Sequence, residues 1–231
     1  MKRFIISDRT TLSEIVAVNG VIPASPTVVT ISTAFTALIG MKVGGNGNVF
    51  VAGSYTTGSG SAIKEVLAVN GVIPANPEIR TLISGVGGPT GLVVDASGNL
   101  YVSDELGNSV CKVTAVNGSI PASPTVVKLV NLDRPTNIAV DGAGNLFAAA
   151  VGSTKVLEMM AINGMVPAYP KTVVLGQGMS LPTGLAVDGN GNIFVADGNL
   201  PGVVKLDFAD SLALTFAPTF VGRRAATVRR R

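Results

Sequence analysis

The residues able to do chemistry in this 231-residue chain are few, and one type is missing: there is no histidine. Serine–histidine–aspartate and cysteine–histidine arrangements are therefore impossible, and the commonest general base is unavailable. The single cysteine, Cys111, lies in Ser109-Val-Cys-Lys-Val113, reads as a buried strand position, and has no intrachain disulfide partner. Zinc centres draw on histidine or on several cysteines, so none is expected. Carboxylates remain. Asp104 with Glu105, or with Asp197 across a channel, would have to move protons or hold a divalent cation, yet residues adjacent in sequence at a strand end point to opposite sides. The run Asp188-Gly-Asn-Gly-Asn192 is rich in oxygen ligands. The twelfth position counted from Asp188, however, is Asn199 and not the glutamate that an EF-hand loop requires, so a hairpin turn is expected there. Ser84-Gly-Val-Gly-Gly88 is not a phosphate loop, because a strand follows it and no Gly-Lys-Ser/Thr does. No cofactor is expected.

Charge narrows the partners. The formal net charge of +3 comes from the end of the chain, where residues 223–231 hold five of the 17 basic residues and leave 12 to face 14 acidic ones. Lys42, Lys64, Lys112, Lys128, Lys155 and Lys171 are spread evenly, without the clustered footprint that a phosphate backbone demands, so nucleic acid is not an expected partner. Charged residues make up 13% of the chain, about half the share usual in globular domains, which suits an apolar, strand-rich core. No apolar run reaches the ~20 residues of a membrane-spanning helix. Met1-Lys-Arg-Phe-Ile-Ile6 opens like a secretory signal, but Ser7-Asp-Arg9 ends the apolar stretch too early.

The elements that must position these residues are repeats. One segment recurs as Pro89-Thr-Gly-Leu-Val-Val-Asp-Ala-Ser-Gly-Asn-Leu-Tyr-Val-Ser-Asp104, as Pro135-Thr-Asn-Ile-Ala-Val-Asp-Gly-Ala-Gly-Asn-Leu-Phe-Ala-Ala-Ala150 and as Pro182-Thr-Gly-Leu-Ala-Val-Asp-Gly-Asn-Gly-Asn-Ile-Phe-Val-Ala-Asp197. A weaker copy covers 36–53. A second segment, Ala-Val/Ile-Asn-Gly followed by Ile-Pro or Val-Pro, interleaves with it and places its Asn at 19, 70, 117 and 163. Two markers sharing a period in the upper forties identify one structural unit per repeat. In the unit beginning at Pro89, strands are expected at 91–95, 100–103, 110–116 and 126–130. Asp-x-x-Gly-Asn turns the first pair, and Asn117-Gly118 with a Pro-rich extension turns the last pair. Four short strands per unit predict an all-β propeller of antiparallel blades. The blades fall at about 1–33, 36–83, 89–130, 135–175 and 182–216, with a basic, disordered tail over 217–231. Phe4-Ile-Ile-Ser-Asp8 aligns with Leu100-Tyr-Val-Ser-Asp104, so the first blade lacks its innermost strand. A five-bladed ring, an open arc and an incomplete propeller all stay open, and an arc would offer strand edges for self-association.

The pattern Pro-Thr-Gly-Leu-Ala-Val-Asp-x-x-Gly-Asn-hydrophobic-aromatic-Val-x-Asp, followed by Val-x-Lys-Val, resembles the NHL repeat over about residues 1–210. Streptogramin-lyase-like and gluconolactonase-like propellers share its general style. The resemblance implies binding of proteins, RNA or small ligands through one propeller face, and bacterial members are extracellular sensors or surface domains. The segment 206–222 resembles the junction between such repeats and an immunoglobulin-like domain in bacterial surface proteins.

Strand alternation puts the a–b and c–d turns on one face and the b–c and d–a loops on the other. The first face repeats closely from blade to blade and reads as structural. The second varies, and variable loops on a rigid scaffold are where binding residues concentrate. The candidates there are Arg9, Tyr55, Asp104, Glu105, Asn108, Arg134, Asp197 and Asn199. The expectation is therefore a module without catalytic activity that binds a protein or small ligand, in an exported or cell-surface protein. The alternatives are a lyase- or lactonase-like propeller using carboxylates and a divalent metal in a central channel, and a rigid spacer.

Overall fold

The computed structural model describes residues 3–19, 21–33, 35–55, 60–177, 179–199, 202–206 and 219–220. They form five antiparallel sheets, here called blades. Blade 1 has three strands, β1 (Arg3–Ser7), β2 (Leu12–Val16) and β3 (Thr27–Ser32). Blade 2 has β4 (Phe35–Val43), β5 (Val49–Tyr55), β6 (Ser61–Val66) and β7 (Ile79–Val86). Blade 3 has β8 (Pro89–Val94), β9 (Leu100–Asp104), β10 (Ser109–Val113) and β11 (Val126–Asn131). Blade 4 has β12 (Pro135–Val140), β13 (Leu146–Ala150), β14 (Lys155–Met159) and β15 (Thr172–Gln177). Blade 5 has β16 (Pro182–Val187), β17 (Ile193–Asp197), β18 (Val203–Leu206) and β19 (Thr219–Phe220). In each blade strands pair in chain order, and the first strands β4, β8, β12 and β16 lie side by side from blade to blade. This is the propeller that the repeats predict, with four four-stranded blades and one lacking strand a.

Two boundaries differ. Strand c of blade 3, expected over 110–116, ends at Val113, and Val116 instead bridges Ser119 across the Asn-Gly turn. Strand d of blade 5 lies at Thr219–Phe220, paired with Val204 and Lys205, within the stretch assigned to the tail. Blade 5 has no Asn-Gly marker to fix where its last strand begins, so the repeat could not locate it. The rest of the 217–231 tail lies outside the described residues.

The turn chemistry explains why the two sequence markers keep one period. Asp95 Oδ1 accepts the backbone N–H groups of Ser97 and Asn99, and its Oδ2 accepts the Asn99 side-chain amide at 2.8 Å. Asn99 Oδ1 in turn accepts the Ala115 N–H at the end of strand c. Asp141 and Asn145 repeat this set, down to the Ala161 N–H. Asn117 and Gly118, at φ 51° and 75°, form the two-residue turn with both central residues left-handed, and Val116 and Ser119 exchange both backbone hydrogen bonds across it. Gly98, at φ 85°, sits directly against that turn: a Cβ there would lie 2.6 Å from the Gly118 carbonyl oxygen. Gly98 must lack a side chain because the Gly118 turn backbone lies against it, so the markers recur together.

Blade 2 has Gly44 where blades 3, 4 and 5 have aspartate, and strand c supplies the missing carboxylate. The Asn48 amide donates to Glu65 Oε1 at 2.7 Å, and Glu65, fully buried, also takes Arg80 at 2.6 Å. Arg80 then reaches the Ile120 carbonyl of blade 3, as Lys112 of blade 3 reaches the Val166 carbonyl of blade 4. Nearer the first strands, Thr90 and Thr136 hydroxyls donate to the Pro135 and Pro182 carbonyls of the following blades. Blades are thus linked at more than one radius, around an apolar layer described below.

Candidate functional site

The structure takes three of the candidate residues into one patch. Glu105 and Asn108 lie in the b–c loop of blade 3, and Arg134 in the loop from blade 3 to blade 4. The Arg134 guanidinium reaches Glu105 Oε1 at 2.6 Å through one NH2 and at 3.2 Å through Nε. Asn108 Oδ1 accepts the Arg134 backbone N–H at 2.9 Å, and its carbonyl accepts the Leu132 N–H. The Arg134 carbonyl accepts the N–H of Val151 in the b–c loop of blade 4. Three loops of two blades therefore meet around Arg134, and its side chain remains mostly exposed.

Asp104 and Asp197 occupy equivalent positions below the loops. Asp104 takes the N–H groups of Gly87, Gly88 and Gly107, and Asp197 takes those of Ser180, Leu181 and Asn199. Each carboxylate ties its blade's b–c loop to the d–a loop before it, and each is buried. Strand ends that carry Asp at this register hold their loops by charge-assisted bonds to backbone amides. Asp8 does the same within its own loop, where the Thr10 and Thr11 N–H groups hold its carboxyl below the usual carboxylate range. Asn199 donates to Ser180 Oγ within blade 5. Arg9 is exposed in the b–c loop of blade 1, its carbonyl accepting the Leu38 N–H, beside a shallow groove with Ala37, Leu38 and Ile39. Tyr55 ends β5; its side chain and residues 56–59 lie outside the described part of the protein.

Sequence reasoning passed over the b–c loop of blade 4. There Ala150 replaces the aspartate of blades 1, 3 and 5, and Asp133 from the preceding loop packs its carboxylate over Gly152. Ser153 Oγ is the buried side-chain oxygen left without a partner among the described residues. Thr154 adopts φ 48°, a left-handed conformation that a β-branched residue takes at a cost. Asn108 and Arg134 are left-handed too, at φ 49° each. The readable signal was the break in the repeat at Ala150. Cys111 lies in β10, half-buried, its thiol pushed up by burial and bonded to Ser109. Among the described residues no three Asp, Glu or Cys side chains converge as a metal site.

Comparisons with known proteins follow the fold. The structure is similar to a streptogramin B lyase at TM-score 0.65 and 10% identity, over 89% of this chain and 62% of that one. It is similar to a luciferin-regenerating enzyme at TM-score 0.62 and 15% identity, covering 98% of this chain and 76% of the enzyme. A gluconolactonase from Xanthomonas campestris gives TM-score 0.62 and 18% identity, over 89% of this chain and 68% of that one. This chain thus spans less than two thirds of the lyase. No protein-family model matches it, and no curated protein sequence does. These neighbours correct the expectation of a chain without catalytic activity. The architecture it shares carries a lyase, a luciferin-regenerating enzyme and a gluconolactonase, so the lack of histidine removes histidine-based mechanisms and not catalysis as such. What the likeness shows is the fold: this chain is a β-propeller.

Proposed function

We propose that the b–c and d–a loop face at the junction of blades 3 and 4 is the ligand-binding surface of an NHL-like propeller. The observation that carries this reading is where backbone strain falls. Among the described residues seven other than glycine have left-handed φ, and four of them are the Asn of Asn-Gly turns, where that conformation is favoured. The other three, Asn108, Arg134 and Thr154, all lie in this patch, beside the unpartnered Ser153 hydroxyl. Strained backbone and unsatisfied buried polar groups persist where something other than stability selects them, and functional loops are the usual place. Arg134, Glu105 and Leu106 supply an exposed cation, an anion and an apolar contact within one loop cluster. A carboxylate-bearing or hydroxyl-rich ligand, free or on a protein, suits that set. Placement in an exported or surface protein rests on the repeat's resemblance to bacterial NHL-like propellers.

The test is a panel of sugar lactones, sugar acids and short acetylated peptides added to 15N-labelled protein, read by amide shifts. Shifts should gather at 105–108, 132–134 and 151–154, and weaken for Arg134→Ala. Shifts that gather instead at the Asp-x-x-Gly-Asn turns 95–99, 141–145 and 188–192 would place binding on the opposite face and overturn the reading.

A further inference from the structure

The pair Asn-Gly occurs six times in the chain, and the fold puts it in two different kinds of turn. At Asn70-Gly71, Asn117-Gly118 and Asn163-Gly164 the pair forms the whole centre of a c–d turn, with Asn at φ 51° to 53° and Gly at φ 74° to 78°. The flanking residues exchange both backbone hydrogen bonds, Val69 with Val72, Val116 with Ser119 and Ile162 with Met165. The central residues are exposed in all three turns. Among the described residues the N–H groups of Gly71, Gly118 and Gly164 and the three Asn side chains have no hydrogen-bond partner.

At Asn46-Gly47 and Asn190-Gly191 the pair lies in an a–b turn and its glycine is engaged. The Gly47 N–H donates to the Gly44 carbonyl and the Gly191 N–H to the Asp188 carbonyl, each at 3.0 Å. Asn46 Oδ1 accepts the Asn48 N–H at 3.1 Å, and the Asn190 N–H donates to Asp188 Oδ1 at 2.9 Å. Both glycines are half-buried. Asn19-Gly20 repeats the c–d pattern in sequence, but Gly20 lies outside the described residues.

We propose that Asn70, Asn117 and Asn163 are sites of covalent self-modification, converting to aspartate and isoaspartate through an intramolecular imide. At Asn117 the Gly118 nitrogen bonds to the side-chain Cγ, the Cγ–Nδ2 bond breaks, and Nδ2 leaves as ammonia with the proton given up by the Gly118 N–H. Water then opens the five-membered imide. Attack at Cγ gives aspartate, and attack at the main-chain carbonyl gives isoaspartate, in which the chain runs through the former side chain. Ring closure needs the glycine nitrogen turned toward Cγ. The two turn types favoured in two-residue hairpins differ by a flip of the central peptide, which carries the Asn ψ from about +30° to about −120° and leaves its φ in place. The flipped form sets the nitrogen beside Cγ. In the c–d turns that flip breaks no hydrogen bond among the described residues, because both ladder bonds belong to the flanking pair. In the a–b turns it breaks the bond from Gly47 or Gly191 to the start of the turn. The product changes the surface. Segments 68–77, 115–124 and 161–170 contain no charged residue, so each event sets a carboxylate among the exposed Val69, Val72, Val116, Ile162 and Met165.

The experiment incubates the full chain at mildly alkaline pH, once folded and once in urea, and follows deamidation site by site by mass spectrometry. Trypsin places the five pairs in separate peptides, 43–64, 65–80, 113–128, 156–171 and 172–205, and an isoaspartyl methyltransferase labels the isoaspartate product. In the folded protein Asn70, Asn117 and Asn163 should react at least about fivefold faster than Asn46 and Asn190, the factor that one lost hydrogen bond puts on a rate. In urea all five should react at similar rates, because each Asn precedes Gly and only the fold tells them apart. Equal rates in the folded protein overturn the proposal, since they show reaction through global unfolding. Folded c–d turns that stay unmodified, although they react in urea, overturn it by showing that the flipped turn is not reached. A difference between the two classes that persists in urea overturns the structural cause and assigns the rates to flanking sequence.

Discussion

Blades 4 and 5 are built from nearly the same sentence of sequence, Pro-Thr-x-hydrophobic-Ala-Val-Asp-Gly-x-Gly-Asn-hydrophobic-Phe, and the structure treats them differently. In blade 4, Phe147, Ala149 and Val156 are sealed beneath blade 5. In blade 5 the equivalent Phe194 and Ala196 face away from the rest of the propeller and keep part of their surface in water. The turns differ as well, here for a reason inside each blade: blade 4 has the Asn163-Gly164 turn, and blade 5 has no Asn-Gly turn between strands c and d. Gly144 lies against the Gly164 carbonyl, while nothing among the described residues comes within 4 Å of a Cβ on Gly191. A repeat therefore specifies a surface on each side of its blade, and what that surface contributes depends on whether another blade covers it. In a quasi-one-dimensional array, stability is a sum of unit and nearest-neighbour terms, and a terminal unit lacks one neighbour term.

The comparison is broken or sharpened most strongly by deleting the same side chain in both blades. Phe147→Ala should lose about 3–5 kcal/mol through the cavity it leaves, and Phe194→Ala only about 1–2 kcal/mol, from partial burial. Urea unfolding of the full chain reads the difference, and equal midpoints would show that blade 5 is as well covered as blade 4. The next effect is at the turns. Gly144→Ala and Gly191→Ala both force alanine into a left-handed conformation, at about 1 kcal/mol each. Only the first also drives a methyl into the Gly164 backbone, so it should cost at least about 1 kcal/mol more by the same measurement.

Tyr101 offers a finer contrast with Phe147, because its hydroxyl donates to Asp95 Oδ2 at 2.9 Å. Burial first, and then the Asp95 carboxylate, push its phenol above the ordinary value of 10. The folded state therefore holds this proton more tightly than the unfolded chain. The stability so gained is fully present below about pH 10 and is lost as pH rises toward the folded value. Tyr101→Phe should cost about 1 kcal/mol at neutral pH and should remove that part of the alkaline decline, as seen in urea midpoints followed from pH 7 to 11. The smallest effect concerns the loop patch. Thr154→Gly relieves a left-handed β-branched residue and should raise stability by up to about 1 kcal/mol, seen as a rise in thermal midpoint. A fall would mean that the Thr154 side chain makes a compensating contact and is not stored strain.

Much of this architecture could be read before any coordinates. Asp95, Gly98, Asn99, Asn117 and Gly118 each have a local reason to be where they are, so turn chemistry announced the hairpins and their spacing announced the blades. The larger miss was strand d of blade 5, at Thr219–Phe220, where no Asn-Gly turn marks the approach. The site was less legible. Asp104 and Asp197 look like free carboxylates in sequence, and only the fold shows that backbone amides of a distant loop occupy them. Glu105, Asn108 and Arg134 were selected as separate loop residues, and nothing in their spacing said that they would bond to one another.

What the sequence by itself determined is the unit: four short strands, two kinds of turn, and a two-residue alternation that gives every blade an apolar surface on each side. These follow from interactions between residues a few positions apart, and the sequence states those directly. Tertiary structure alone decided which apolar surfaces are covered, which carboxylates are consumed by backbone amides, and where strain collects. Those outcomes depend on contacts between segments about 15 to 50 residues apart, set by how one blade seats against the next.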